Sequence, residues 1–463
     1  MVIITNRHEY DKDGPERLKN GRLRLEPPQI LVLGFAAVIL LGTFLLMLPI
    51  STRSGENAGF LNALFTATSA VCVTGLVVVD TGTYWSTFGQ AVVMMLIQAG
   101  GLGFMTVATM IFMALGKRIN LRERLVIQEQ LNQYTLQGVV RLTKYIILGT
   151  LMIEGIGAIL LSIRFVPELG FARGIYYGIF HAVSAFCNAG FDIIGEYRSL
   201  TPYVSDFVVS GVVVTLFITG GLGFSVLAEV TQLRRFRRLS LHTKLVLSIT
   251  GILLALGTVL IFVFEYTNPA TLKPLPFAAK VLSSFFHSAA PRTAGFNTLS
   301  TADLTNASKF LSIVLMFIGG SPGSTAGGIK TTTAGVLIWT VVSVIKGRED
   351  TEIYNRRITK DIIYRSLSVA IISMLLIILT VTILSLTEAA SFIEVFFETT
   401  SAFGTVGLSL GITPHLSPIG KVMIIITMYA GRVGPLTIAF ALAQRQRRSR
   451  GKLRYPEEKI LVG

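Results

Sequence analysis

Glu398-Thr399-Thr400-Ser401-Ala402-Phe403-Gly404-Thr405-Val406-Gly407-Leu408 puts a Thr-Val-Gly run directly after a small-residue, apolar segment long enough for about three helical turns. Alone, such a run says little, because Thr, Val and Gly are common. Its weight comes from recurrence. When Gly407 is set over Gly75, Gly190 and Gly295, a phenylalanine stands ten residues before each glycine (Phe65, Phe180, Phe285, Phe397) and an alanine five before (Ala70, Ala185, Ala290, Ala402). Six before lies Ser69, Ser184, Ala289 or Ser401, and one after lies Leu76, Phe191, Phe296 or Leu408. The glycines are 115, 105 and 112 residues apart, too far for a solenoid unit, so each copy belongs to a module of several elements. Four diverged copies of a glycine-centred loop predict pseudo-fourfold symmetry about a shared axis.

Composition places these modules in a membrane. Of 463 residues, 51% are hydrophobic and 14% charged, where a soluble chain carries about 25% charged residues; the mean hydropathy is +0.65. Ile30 to Ile50 and Leu245 to Phe264 carry no charge over ~20 residues, enough to cross a ~30 Å hydrocarbon core. Residues 1–28 are polar, without the short apolar core of a cleavable signal. The net charge of +15 does not point to nucleic acid. Most Lys and Arg residues fall in 1–28, 117–145, 232–245, 345–365 and 444–463, with clusters at Arg234, Arg235, Arg237 and Arg238 and at Arg445, Arg447, Arg448 and Arg450. In three of the four stretches between them acids outnumber bases; in 246–344 bases outnumber acids. By the positive-inside rule the basic segments are cytoplasmic, which puts both termini inside a plasma membrane; docking of a cytoplasmic partner is a second role open to them.

The expected fold is an all-α polytopic membrane protein of eight transmembrane helices, in four parallel pore modules around a pseudo-fourfold axis. Each module reads as helix, re-entrant half-helix with loop, helix. After a cytoplasmic lead, 1–28, ending in Pro27-Pro28, module 1 occupies 29–116, with segments at 29–50, 60–73 and 86–115. Module 2, 144–235, has segments at 145–166, 174–187 and 205–231. Module 3, 244–346, has segments at 244–266, 277–291 and 310–345; module 4, 364–443, has segments at 364–387, 390–403 and 418–443. A cytoplasmic tail, 444–463, follows. Every module crosses twice, so all four insert with one orientation, as parallel repeats and not inverted ones. Gly100-Gly101-Leu102-Gly103-Phe104 recurs as Gly220-Gly221-Leu222-Gly223-Phe224, read as close helix packing through small residues. The last apolar run of module 3 is ~36 residues, or ~54 Å as a helix. Its centre, Gly319-Gly320-Ser321-Pro322-Gly323-Ser324-Thr325-Ala326-Gly327-Gly328-Ile329-Lys330, should interrupt it. Irregular backbone at that depth belongs where it is buried in protein or lines a watery cavity, so a loop inserted across a pore is expected.

The chemistry follows from the loops. A dehydrated alkali cation needs several oxygen ligands, and potassium filters of known type supply backbone carbonyls from four Thr-Val-Gly-Tyr-Gly loops. Glycine serves where the backbone needs dihedrals that a side chain opposes. Here each loop has one such glycine: Val73-Thr74-Gly75, Asn188-Ala189-Gly190, Thr293-Ala294-Gly295 and Thr405-Val406-Gly407. Fewer well-formed potassium sites than in a two-glycine filter are expected. The half-helices would aim their partially negative C-terminal ends at the ion. Arg432, in Gly431-Arg432-Val433-Gly434-Pro435, and Glu154 lie inside apolar stretches, where ionisable residues are functional or paired with a neighbouring helix. Cys72 and Cys187 have no spacing that asks for a disulfide, and the five histidines show no metal-ligand spacing; His181 and His287 read as ordinary half-helix residues. Gly323 to Lys330 misses the phosphate loop because Ile329 displaces the lysine, so no nucleotide site is expected. No catalytic set is visible, and the chain reads as no enzyme.

These four Phe-to-Gly modules resemble the Ktr/Trk/HKT superfamily of potassium transporters over essentially the whole chain after residue 28. The nearest likeness is to the bacterial KtrB-type membrane subunit, carried by Ala402 to Leu408, Pro291-Arg292-Thr293-Ala294-Gly295-Phe296 and Gly431 to Pro435. The resemblance implies potassium coordination by the four filter loops, with Gly75 in place of the serine of some sodium-favouring plant relatives. It implies that residues 318–331 form an intramembrane gating loop, with Arg432 beneath the filter in the same barrier. It further implies a homodimer on a KtrA-type cytoplasmic ring that binds ATP or ADP, and uptake promoted by sodium. The alternatives are a sodium-selective or non-selective cation pathway of the same fold, and an intramembrane enzyme or scaffold, which would need catalytic residues that are not found.

Overall fold

The computed structural model describes residues 26–114, 119–130, 139–233 and 235–443. The tail 444–463 with its arginine cluster, most of the lead 1–28 and Arg234 lie outside the described residues.

One order of elements recurs along the chain. The first set is α1 (Pro27–Met47), the short α2 (Phe60–Val71) and a broken pair, α3 (Thr87–Leu102) and α4 (Phe104–Ala114). A connecting helix, α5 (Leu121–Gln130), leads to α6 (Val139–Leu169), the short α7 (Phe171–Phe186) and the pair α8 (Phe207–Leu222) and α9 (Phe224–Leu233). The third set is α10 (Leu241–Glu265), α11 (Phe277–Ala289), α12 (Asn306–Phe317) and α13 (Thr331–Ile345). The fourth is α14 (Lys360–Thr387), α15 (Phe392–Gly404), α16 (Pro418–Val433) and α17 (Pro435–Ala443). Between the last two sets, β1 (Glu352–Ile353) pairs antiparallel with β2 (Arg356–Arg357), through Tyr354 and Asn355 at positive φ. This small hairpin amends the all-α expectation.

Among the described residues four helices, α1, α6, α10 and α14, are long and apolar enough to cross a membrane, and six spans result when α3–α4 and α8–α9 are each counted as one. The other two expected spans correspond to α12–α13 and α16–α17, whose pieces of 9 to 16 residues reach at most ~24 Å each. The long helices turn apolar side chains outward: Leu148, Ile159 and Ile163 on α6 and Leu256, Val259 and Val263 on α10 are exposed, which suits hydrocarbon. The short helices start on exposed phenylalanines, Phe60, Phe171, Phe277 and Phe392, but are shielded toward their ends, where they carry polar residues. Thr66, Thr68 and Ser69 on α2, Ser283, Ser284 and His287 on α11, and Glu398, Thr399 and Ser401 on α15 are all buried. Phe65, Phe180 and Phe397 of the repeat are fully buried; in the third copy it is Phe286, not Phe285, that is fully enclosed.

Continuous last helices over 86–115, 205–231 and 418–443 were expected from the apolar runs; each is broken. Gly103, Gly223 and Gly434 have φ of 82°, 97° and 93°, a left-handed conformation that ends a helix, and the axis turns by 99° between α3 and α4 and by 98° between α8 and α9. The first glycine of each motif does pack as expected. A Cβ on Gly100, Gly220 or Gly431 would overlap the carbonyl oxygen of Val71, Phe186 or Phe403, at the end of a short helix. Cys72 and Cys187 are free thiols. Glu154 of α6 faces helix partners: Gln98 Nε2 donates to it at 3.1 Å and Cys187 Sγ lies at 3.6 Å.

Backbone contact of this kind leaves no room for a methyl group. Gly100→Ala is expected to lower stability by about 3 kcal/mol, the upper part of the overpacking range, whereas Gly149→Ala, with open space at its Cβ, should not. Melting temperatures of the two purified variants in detergent check this; equal values would refute the packing role.

Candidate functional site

The ends of the short helices build the site. In α2, α7 and α15 the last turn is closed by one pattern: Thr74 N bonds Ser69 O, Ala189 N bonds Ser184 O and Val406 N bonds Ser401 O, each at 2.8 Å. This six-to-one bond needs a left-handed residue after the helix, and Val73, Asn188 and Thr405 take that place with φ of 58°, 59° and 51°. For β-branched Val73 and Thr405 that conformation costs about 1–2 kcal/mol, strain of the sort held at functional sites. The serine column of the repeat now has a reason. Ser69 Oγ accepts from Gly75 N and Ser401 Oγ from Gly407 N, both at 3.1 Å, while Ser184 Oγ donates to Phe191 O at 2.6 Å. The third copy, with Ala289, closes differently: Ala294 N bonds Ala290 O at 3.0 Å, although Thr293 keeps a φ of 71°.

The four loops meet as a ring. Gly75, Gly190, Gly295 and Gly407 have φ of 89°, 68°, 77° and 94°. A Cβ on Gly75 would overlap the carbonyl oxygen of Ala189; on Gly190 it would lie 3.0 Å from that of Ala294; on Gly295, 2.5 Å from that of Val406; and on Gly407 it would overlap that of Thr74. Each glycine therefore faces the carbonyl that precedes the next glycine, in the order first, second, third, fourth and back to first. Val73 to Gly75, Asn188 to Gly190, Thr293 to Gly295 and Thr405 to Gly407 are thus gathered in one place. Among the described residues the buried hydroxyls of Thr74 and Thr405 have no partner.

On one side a cavity of about 640 Å³ opens onto all four glycines. Asp80 and Asp192 also line it; both went unremarked in the sequence, where their only signal is a carboxylate a few residues after a loop glycine. Asp80 accepts from Thr83 N at 2.8 Å and Tyr197 N at 3.0 Å. Burial, and then the neighbouring Asp80 carboxylate, push the Asp192 carboxyl up to about 7.

On the other side the segment from Ile318 to Lys330 runs against the ring. It is pinched at its ends by an Ile318–Ile329 bridge. A Cβ on Gly319 would overlap the Gly327 carbonyl, and one on Gly327 would overlap Thr405. Thr325 Oγ1 donates to Asn188 Oδ1 at 3.2 Å, and Asn188 Nδ2 to Thr293 Oγ1 at 3.3 Å. The break after α8 leaves carbonyls that this segment uses: Ser321 N bonds Gly221 O at 3.0 Å, Thr325 N bonds Gly220 O at 3.3 Å, and Gly323 O accepts from Phe224 N at 2.9 Å. Lys330 Nζ donates to Ala326 O at 2.7 Å. Arg432 donates to the carbonyls of Thr325, Gly100 and Gly101, joining α16 to the segment and to the end of α3. A cavity of about 160 Å³ lies here, bordered by Gly323, Ser324, Ala326, Lys330 and Arg432. Gln130 of α5, absent from the sequence reading, caps the Gly103 break: its Nε2 donates to Leu102 O at 3.3 Å and its Oε1 accepts from Met105 N at 3.0 Å.

Residues 24–450 match the family described as TrkH, cation transport protein. The chain belongs to the TrkH cation transport family. It is a transport protein and not an enzyme. It is 46% identical to the Ktr system potassium uptake protein B of Bacillus subtilis, covering 95% of this chain and 98% of that one. It is 42% identical to the potassium/sodium uptake protein NtpJ of Enterococcus hirae, covering 96% and 99%. The crystal structure of the potassium transporter TrkH from Vibrio parahaemolyticus superposes with a TM-score of 0.72 at 17% identity, over 93% of this chain and 88% of that one, a likeness of fold.

Within this TrkH-family frame Asn188 ties the second loop to the third and to the segment beneath. Asn188→Ala removes two hydrogen bonds at about 1 kcal/mol each and puts alanine at a positive φ. A loss of about 3 kcal/mol is expected in thermal unfolding, and a change below 1 kcal/mol would refute the tie.

Proposed function

We propose that this chain is the ion-conducting membrane subunit of a Ktr-type potassium uptake system. The closed ring of glycine-centred loops carries the reading: four loops that each press a glycine onto the next loop's carbonyl can surround one dehydrated cation with backbone oxygens. Val73, Thr74, Gly75, Asn188, Ala189, Gly190, Thr293, Ala294, Gly295, Thr405, Val406 and Gly407 form the selectivity filter. The four modules 29–116, 144–235, 244–346 and 364–443 are pore modules about the filter axis. The wide cavity is the extracellular mouth, and both termini are cytoplasmic. The name of the Bacillus relative supports potassium as the ion.

Residues 319–328, Lys330 and Arg432 are the gate. Support comes from the position of the segment: it meets the ring at Asn188 and Thr405 and is held by Arg432, so ions leaving the filter must pass it. A KtrA-type nucleotide-binding ring would move this gate from the cytoplasm, with the chain working as a homodimer and sodium promoting uptake. A pathway that also admits sodium is the second reading, favoured by the name of the Enterococcus relative and by the different closure of the third loop.

The deciding experiment is potassium-limited growth and rubidium uptake in a bacterium without its own potassium uptake systems, with the chain alone and with a cytoplasmic nucleotide-binding partner. Rescue that strengthens with the partner is expected; folded protein in the membrane without rescue would refute the potassium reading. In the same cells Gly75→Ser should lower the preference for potassium over sodium about tenfold or more, because the serine Cβ meets the Ala189 carbonyl at a backbone angle that side chains oppose. Unchanged preference would remove Gly75 from the filter. Shortening 319–328 should raise rubidium flux several-fold, and unchanged or lower flux in correctly folded protein would show that the segment is no barrier.

A further inference from the structure

Arg292 stands one residue before Thr293 of the ring and is 8% exposed. Its Nη2 donates to Thr250 Oγ1 at 3.3 Å, and its Nε has no partner among the described residues. No carboxylate among those residues forms an ion pair with it. The guanidinium borders a cavity of about 10 Å³ lined by Phe217, Gly221, Thr250, Leu254 and Gly320, room for about one water. A guanidinium keeps its charge inside proteins. A full positive charge, scarcely hydrated and neutralised by no carboxylate, is thus held within roughly 10 Å of the ring, the reach of one residue plus one extended side chain. Such a charge is costly at membrane depth, and the Thr250 hydroxyl is a weak return for it.

We infer that Arg292 sets the valence selectivity of the filter, its fixed charge keeping divalent cations out of a ring that admits monovalent ones. This rests on the filter reading above. Backbone carbonyls and helix C-terminal ends attract a cation in proportion to its charge, so of two ions of equal radius the divalent one gains more from the ring, against a larger cost of dehydration. A fixed positive charge opposes entry in the same proportion. At roughly 10 Å and an effective dielectric constant of about 20, the second charge on a divalent ion meets an extra penalty of about tenfold in occupancy. Potassium and sodium carry one charge each and meet the same penalty, so their discrimination stays with the geometry of the ring. Arg432, whose donors are engaged by the neutral carbonyls of Thr325, Gly100 and Gly101, keeps its own charge and adds to the same repulsion; substitutions at Arg292 leave it in place, so the change they produce belongs to Arg292.

Barium, a divalent ion close in radius to potassium, is the probe. In proteoliposomes of the full chain, rubidium uptake by Arg292→Gln is expected to be inhibited at about tenfold lower barium than the wild type, with sodium competition unchanged. Arg292→Lys should resemble the wild type. Thr250→Glu, which brings a carboxylate to the guanidinium, should reproduce the glutamine variant without removing the arginine. Equal barium sensitivity in Arg292→Gln or Thr250→Glu, with normal rubidium uptake, overturns this inference alone. Loss of rubidium-over-sodium discrimination in the glutamine and lysine variants alike, or failure of both Arg292→Gln and Thr250→Glu to yield folded protein, makes the arginine structural and overturns it as well. Absence of rubidium uptake by the wild-type chain would remove the potassium filter itself.

Discussion

The contact between each loop glycine and the carbonyl that precedes the next glycine is the constraint on which the rest depends. It exists only because a side-chain atom is missing at four positions, and it brings backbone from four distant parts of the chain to one axis. A second tier of glycines, Gly100, Gly220 and Gly431, repeats the device one layer out, where a helix lies against the carbonyl end of a short helix. Two tiers of bare backbone therefore hold the loops from inside and from behind. The loop-bearing ends of the short helices are enclosed in this way, so they can carry serine, threonine and glutamate, while α1, α6, α10 and α14 supply much of the apolar exterior.

Broken helices at membrane depth leave carbonyls without partners, and an unsatisfied backbone group in hydrocarbon costs several kcal/mol. The breaks after α3 and α8 are satisfied by neighbouring parts of the chain. Gln130 and Arg432 serve the end of α3, and the amides of Ser321 and Thr325 serve the end of α8. The irregular segment from Ile318 to Lys330 and the break after α8 thus complete each other: one lacks helical hydrogen bonds and the other offers spare acceptors. A displacement of the segment would leave Gly220 and Gly221 needing water or a new donor, so movement there is coupled to hydration of the space below the ring.

Much of this was legible in the sequence because the constraint is local. A residue that must adopt positive φ, a serine that must reach an amide six residues on, and an alanine that must fit under a loop each leave a column in a fourfold repeat. Glycine and proline density likewise marked the break at 319–328, where α12 does end and α13 begin. The breaks at Gly103, Gly223 and Gly434 were not legible. In Gly-Gly-Leu-Gly-Phe every glycine looks like a packing glycine, and the one that turns left-handed meets residues far away in sequence, Gln130 at Gly103 and Pro322 at Gly223. The hairpin at 352–357 was missed because two residues per strand carry no periodicity. The assignment of ion and gate came from resemblance, since carbonyl rings have no side-chain signature.

The departures from fourfold symmetry are concentrated in the third copy. It alone lacks the serine, closes its short helix with a different bond, carries the unpaired Arg292 beside its loop, and extends a long irregular segment below the ring. A steric argument accounts for the last of these. The segment touches the second loop at Asn188, the fourth at Thr405 and the fourth module's Arg432, so it occupies the space beneath the common axis. Four such segments, one from each module, would collide there, and the three remaining modules must turn away. Single-glycine breaks of nearly 100° after α3 and α8 do this with the fewest residues. The bends after α3 and α8 and the long insertion in the third set are two consequences of one limited volume.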